Sequence, residues 1–424
     1  MKNNILVKLR HWLLPLVLLG GISAVCAETD ACPDFVTRRG NKLYLNGREY
    51  RAIGVNVPNL HQSFLGTWHH DLQIYGSTAA AKAAMIRAVE SAARSGFAFI
   101  RFFASPGYPS DIDKLYMKDR KAYWDGMDEL FMLCRKNNIR VIPSLGCILG
   151  AAGFSNYFEE PARAIFDRGS RSRLALDEYI RDFVTRYKDS PTVLMWELQN
   201  ETMLSADVPA VFQEEKMFEA SVVKRWETSG TAGKLYRGGP RNDAFSYDEI
   251  IKLYREQCAF IHSLDPNHLV TSGDGETRPE CTSRRETFPD FKFRADTPEE
   301  RIGNNLRAQP PPLDVFSYHF YGKFASPGKT DDETSRWMRR IIRASLAEGR
   351  PVFIGEIGEI DGPKGAPEQK WLLHWIDEAE NTEISLMALW VWHFPWQPEL
   401  TMDENNIGPL IRRCREFNRR HAGK

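Results

Sequence analysis

The feature that most limits what this chain can fold into is a repeated alternation of helical segments with short apolar strands. Residues 79–93 have helical periodicity and Gly96 ends them. Phe97-Ala98-Phe99-Ile100-Arg101-Phe102-Phe103 follows as a strand too apolar to face water on either side. The unit recurs. Helix 123–135 breaks at Asn137-Asn138 and enters strand 139–145, helix 174–187 leads to strand 192–198, and helix 247–262 leads to strand 268–272. Strand 313–318, helix 335–347 with strand 351–355, helix 368–379 with strand 384–392, and a last helix near 407–419 continue the series. Before them, residues 42–45 and 49–53 flank Asn46-Gly47, a strong hairpin signal because both positions tolerate positive φ. The second arm is expected to run on into strand 53–57, the first of eight. Parallel strands joined by helical crossovers close at eight into a (β/α)8 TIM barrel, here with an N-terminal β-hairpin. A doubly wound open sheet is the alternative, but no glycine-rich phosphate loop follows any strand. Residues 274–312 lack periodicity and carry Pro310-Pro311-Pro312, so a long loop is expected there, with one barrel helix short or missing.

The first residues carry Lys2, Lys8 and Arg10, then an apolar run over 13–19, then Ser23-Ala24-Val25-Cys26-Ala27. This is the pattern of a signal peptide over 1–27, with cleavage after Ala27 and a catalytic domain over 28–424. The apolar run is too short for a permanent membrane span, and Val25 before Cys26 argues against lipidation. A secreted or periplasmic protein is expected. Export leaves Cys32, Cys134, Cys147, Cys258, Cys281 and Cys414, whose pairing spacing does not fix. Cys134 and Cys147 read as buried thiols and Cys32 as the better staple. No cysteine or histidine spacing suits a metal, so neither metal nor cofactor is expected. Lys plus Arg and Asp plus Glu both total 56, so no net field recruits nucleic acid or anionic membrane, and a monomer acting on a neutral ligand is expected. Eleven tryptophans suit such a ligand, because an indole offers an apolar face with one polar N–H.

Barrel enzymes carry their chemistry where strands end at one face. The fourth strand ends Met195-Trp196-Glu197-Leu198-Gln199-Asn200-Glu201 and the seventh ends Phe353-Ile354-Gly355-Glu356-Ile357-Gly358-Glu359. Strands four and seven face each other across a barrel, so Glu201 and Glu356 can form the close carboxyl pair of a retaining glycosidase, about 5–5.5 Å apart. With an Asn-Glu pair after strand four and a glutamate after strand seven, nearly the whole chain beyond the signal resembles glycoside hydrolase family 5.

The resemblance implies Glu201 as acid/base and Glu356 as nucleophile. It implies that Arg101, after strand two, holds Glu356 ionised and that Asn200 grips the sugar 2-hydroxyl. His319 and Tyr321 match the His-x-Tyr after strand six, Trp392 the tryptophan that floors the sugar site, and Asn56 a polar residue after strand one. Many cellulases of the family carry a histidine after strand three, where this chain has Pro143-Ser144-Leu145-Gly146. Residues 36–56 and the Trp196-Glu197-Leu198-Gln199-Asn200-Glu201 strand look closer to the family's endo-β-mannanases. A retaining endo-β-1,4-mannanase acting on β-linked polysaccharide is therefore expected. An endo-β-1,4-glucanase or another β-glycanase is the nearest alternative. A non-catalytic carbohydrate-binding protein is more remote, because both glutamates are kept. Segments 64–77, 150–171, 204–246 and 274–312 are expected to build the cleft walls.

Overall fold

The computed structural model describes residues 34–68, 70–106, 112–146, 148–207, 245–287, 294–322, 331–359 and 369–422. The segment 1–27 expected to be a signal peptide, Cys32 and Cys147 lie outside the described residues.

Asn46 and Gly47 take φ of 53° and 76°, and β2 (Lys42–Leu45) folds back on β3 (Arg48–Glu49) as their sequence demands. Two features differ from expectation. A further strand, β1 (Thr37–Arg39), pairs antiparallel with β2, so the hairpin is part of a three-stranded sheet. Its last arm also stops at Glu49 instead of running on into the barrel.

The barrel comprises β4 (Ala52–Asn56), β5 (Phe99–Phe103), β6 (Arg140–Ser144), β7 (Trp196–Glu197), β8 (Val270–Thr271), β9 (Phe316–Tyr321), β10 (Val352–Gly358) and β11 (Ile384–Leu389). Neighbours are parallel in the order β8-β7-β6-β5-β4-β11-β10-β9. The two ends meet through a parallel bridge between Thr271 and Val315, with Asp314 N–H donating to Val270 O at 2.9 Å, and this closes the (β/α)8 barrel.

Around it run α1 (Leu60–Leu65), α2 (Asp71–Tyr75), α3 (Thr78–Ser95), α4 (Ile112–Lys118), α5 (Arg120–Lys136), α6 (Ile148–Phe158), α7 (Arg171–Tyr187), α8 (Tyr247–Leu264), α9 (Cys281–Thr287), α10 (Pro298–Ala308), α11 (Asp331–Ala347), α12 (Gln369–Asn381) and α13 (Gly408–His421). Helix α3 starts where Ser77 Oγ accepts from Ala80 N–H, and it ends on Gly96 at φ 84°. The segment expected as a long loop with a short or missing barrel helix holds the 7-residue α9 and the 11-residue α10. Thr297 and Glu300 form a reciprocal capping box at the start of α10, with Pro298 in its first turn. Its core-facing side is short, with Ile302, Leu306 and Ala308 packing beside buried Asn304 and Asn305, so its periodicity is weak in the sequence.

Strand alternation sorts the core into levels. On β5, Ile100 and Phe102 face the helices, while Phe99 joins Val36, Leu43, Ile142, Met195 and Phe353 at the barrel base. The N-terminal sheet thus contributes to the apolar plug of that end. Phe103 belongs to a separate cluster with Trp390, Val391 and Leu400, flanked by Tyr321 and Phe394. Between plug and aromatic cluster, β5 contributes Arg101. Cys134, Cys258, Cys281 and Cys414 are buried free thiols. Among the described residues, no helix is long and apolar enough to cross a membrane.

Candidate active site

Arg101 has no exposed surface, and an isolated buried charge would be prohibitively costly. Its guanidinium is accordingly saturated with oxygens. Nη2 and Nε donate to Glu197 Oε1 and Oε2 at 2.7 and 2.9 Å, and Nη1 donates to Glu356 Oε1 at 2.8 Å. Asn56 Oδ1 accepts from Nη1 at 2.9 Å and Asn200 Oδ1 from Nη2 at 2.6 Å. One side chain therefore ties the tops of β4, β7 and β10 to β5. Asn56 extends the tie by donating to Gly355 O at 2.9 Å and to Ala388 O and Leu389 O at 3.3 Å.

Above this layer stand the two glutamates. Glu356 has 4 % of its side chain exposed and Glu201 32 %. Glu356 accepts from Arg101 on Oε1 and from the Tyr321 hydroxyl on Oε2. His319 Nδ1 shares a hydrogen bond with Glu201 Oε1 at 2.9 Å and lies 3.5 Å from Glu356 Oε1. The facing atoms of Glu201, His319 and Glu356 all fall within 4.8 Å of one another. These residues are the one trio of potential metal ligands among the described residues. The adjoining Arg101 charge opposes a cation there, and both Glu356 oxygens are engaged.

Burial pushes the His319 imidazole down to about 4, so the ring is neutral over the working range of most enzymes. Burial also lifts both glutamates above the ordinary carboxylate range. Two carboxyls this close cannot readily both ionise. Direct hydrogen bonds from Arg101 and Tyr321 favour the anion on Glu356, so of the two Glu201 is the one suited to carry a proton.

Glu201, Glu356, Arg101, Asn56, Asn200, His319 and Tyr321 thus converge as their positions in the sequence predict. Arg101 and Asn56 are buried beneath the carboxyls, where Arg101 donates to Glu356 and to Asn56 Oδ1. Trp392 requires correction. It is wholly buried outside the barrel wall, its Nε1 donates to Ala88 O of α3 at 3.2 Å, and its ring meets Phe97 at 5.3 Å. The tryptophan at the barrel mouth is Trp390, which shares the aromatic cluster with Phe103 and Tyr321 and donates from Nε1 to Gln397 Oε1 at 2.7 Å. Alternation along one strand would give both tryptophans the same face, but β11 ends at Leu389 and the rule ends with it. Glu197 was also overlooked. Its signal is present in the sequence, since a glutamate inside Leu194-Met195-Trp196-Glu197-Leu198 needs a buried cation, and Arg101 among phenylalanines is the matching anomaly.

A family model described as Cellulase (glycosyl hydrolase family 5) matches residues 55–394. Mannan endo-1,4-beta-mannosidase F of Aspergillus clavatus is 28% identical over 194 residues, 46% of this chain and 34% of that protein, so the match spans about a third of that relative's length. Mannan endo-1,4-beta-mannosidase 2 of Oryza sativa subsp. japonica is 24% identical over 396 residues, 83% of this chain and 73% of that protein. Among solved structures, the endo-1,4-beta-mannanase from Rhizomucor miehei superposes with a TM-score of 0.60 at 16% identity, covering 92% of this chain and 100% of the other. The endo-beta-1,4-mannanase from Thermotoga petrophila gives 0.58 at 15%, covering 89% and 78%. These likenesses show the fold.

Proposed function

The chain belongs to glycosyl hydrolase family 5, and from that premise we propose that it is a retaining endo-β-1,4-mannanase with Glu356 as nucleophile and Glu201 as acid/base. The observation that carries the reading is the approach of the two carboxyls to within 4.8 Å. Inverting enzymes keep theirs about 6.5–9.5 Å apart to seat a water between them. In the first step Glu356 attacks the anomeric carbon while Glu201 gives its proton to the departing oxygen. In the second, Glu201 takes a proton from water, which releases the sugar from Glu356. With Asn200 Oδ1 engaged by Arg101, the NH2 end of that amide is the one suited to the sugar 2-hydroxyl. The names of the relatives favour mannan as the polymer, as does Ser144 at the top of β6, where many cellulases carry histidine. The N-terminal pattern over 1–27 supports export to the medium or periplasm.

A reducing-sugar assay on mannan, glucomannan, carboxymethyl cellulose, xylan and mixed-linkage glucan tests the assignment, with Glu356→Gln as the blank. Activity is expected to centre on the mannans. Turnover of glucans alone would keep the mechanism and replace the substrate, and silence on every polymer and oligosaccharide would leave a binding protein.

The pH profile of kcat/KM is expected to be a bell. The rate rises as the pair ionises at Glu356 and falls as Glu201 loses its proton. Because burial raises both carboxyls, both limbs lie above the ordinary glutamate value of 4.5. In Glu201→Gln, assayed on an activated aryl glycoside, the alkaline limb should vanish and the acid limb remain. An alkaline limb that persists would assign it to another group.

The two tryptophans should separate in the same way. Trp390→Ala is expected to lower kcat/KM about tenfold or more through a lost sugar platform. Trp392→Ala should instead cost about 3–5 kcal/mol of stability, read by denaturant unfolding, as a large buried ring is removed. Equal kinetic losses in both variants would contradict the assignment.

A further inference from the structure

Glu201 is the N-cap of the short 3₁₀ turn Thr202–Ser205, in left-handed backbone at φ 52° and ψ 30°, and its own side chain makes no capping bond. An N-cap normally gives a side-chain oxygen to the N–H of the second or third residue beyond it. A carboxyl spent that way would be turned from the cleft. The N–H of Met203, the second residue of the turn, is taken instead by Asp274 Oδ1 at 3.0 Å, from the loop after β8.

That loop is built to reach the turn. Gly273 O accepts the N–H of Glu201 at 3.1 Å. Asp274 N–H donates to Ser272 Oγ at 3.2 Å, and Ser272 Oγ donates to Gln309 Oε1 at 3.0 Å. Gly273 has φ +78°, and a Cβ there would lie 1.8 Å from Gln199 O and 2.5 Å from the Glu197 carboxyl, so only glycine permits the approach. A Cβ on Gly275 would stand 3.6 Å from Glu201 Oε1. Asp274 is 1% exposed, and its carboxyl is also met by the buried Tyr254 hydroxyl of α8, which hydrogen-bonds it.

We infer that Asp274 is a positioning residue for the acid/base: it caps in trans the turn whose own cap residue is Glu201, and so aims the Glu201 carboxyl at the glycosidic oxygen. The inference rests on the acid/base reading of Glu201. Asp274 is faced by Glu197, Glu201 and Tyr254, and Glu201 in turn by Glu356, His319, Arg101 and Arg278. Burial pushes the Asp274 carboxyl up to about 7.

The test is a leaving-group comparison. In Asp274→Ala, kcat/KM on mannan should fall about 10- to 100-fold, because a displaced acid protonates poorly. On a 2,4-dinitrophenyl β-mannobioside or β-cellobioside, whose leaving group needs no proton, the fall should be less than about threefold. Asp274→Asn keeps an oxygen for Met203 but carries no charge. It should recover most of the polymer rate. Equal loss on polymer and aryl glycoside, or no loss on either, would overturn the inference, since a residue that only stabilised the fold would give no such split. Should Asp274→Ala fail to fold, Asp274→Asn decides alone: a fall of more than about tenfold on mannan, despite the oxygen it keeps for Met203, would overturn the inference. A native protein inert towards every aryl glycoside and polymer would overturn the acid/base reading together with this one. An active native protein with no leaving-group split would overturn only this one.

Discussion

Glu356→Gln is expected to lower kcat on β-mannan by about four orders of magnitude or more and to abolish covalent capture by a 2-deoxy-2-fluoro glycoside. The substitution keeps the shape of the side chain and removes the anion. Attack on the anomeric carbon needs that anion, and the charge is also what pairs with Arg101 Nη1 at 2.8 Å and accepts from Tyr321. Since Arg101 keeps its bonds to Glu197, the guanidinium stays compensated and the variant should still fold. The check is the mass of the intact protein after incubation with the fluoro sugar. The native enzyme should gain one glycosyl group and the variant none. A label found on a residue other than Glu356 would move the nucleophile.

Glu201→Gln should give a loss that depends on what leaves. On mannan, where the departing oxygen needs a proton, kcat/KM should fall about 10²–10⁴-fold. On the dinitrophenyl glycoside kcat/KM should change little, because that step needs no acid. The second step still requires a base to activate water. Steady-state turnover of the aryl substrate should therefore slow, and a burst of phenolate of about one per active site should precede it. The placement of the proton supports this division: Glu201 is lifted by burial and shares its hydrogen bond with a neutral imidazole, while Glu356 is held by a cation and a phenol. Proportional losses on both substrates, without a burst, would remove Glu201 from the acid role.

Much of this was legible in the sequence, for identifiable reasons. The repeat of helix and apolar strand fixes a barrel because each helix must cover a sheet face and the crossovers have one hand. Asn46-Gly47 set the hairpin through their tolerance of positive φ. Glu201 and Glu356 stood out because carboxyls at the ends of strands this apolar have little structural use. The capping box of Thr297 and Glu300 was equally readable, but α10 is short and mixes buried Asn304 and Asn305 with Ile302 and Leu306, which blurs its periodicity.

Other features depended on distances between segments that no local pattern encodes. Alternation counted from Phe353 would send Gly355 and Ile357 inward. The pairing of β10 with β9 shifts register between Ile354 and Glu356, Ile354 and Ile357 both pack outward, and Glu356 faces Arg101 as a result. The exchange of Trp392 for Trp390 has the same origin, because β11 leaves its ladder at Leu389. Asp274 reaches the turn of Glu201 from 71 residues beyond Met203, across the β7–β8 neighbourhood that barrel closure creates. The sequence alone determined the periodic elements, the barrel they close and the two carboxyls at its mouth, since periodicity and buried charge are local properties of a chain. Which tryptophan stands at the barrel mouth, which face Glu356 takes and what caps the turn of Glu201 were decided only by tertiary structure, because strand ends, register shifts and contacts between loops are set where separate segments meet.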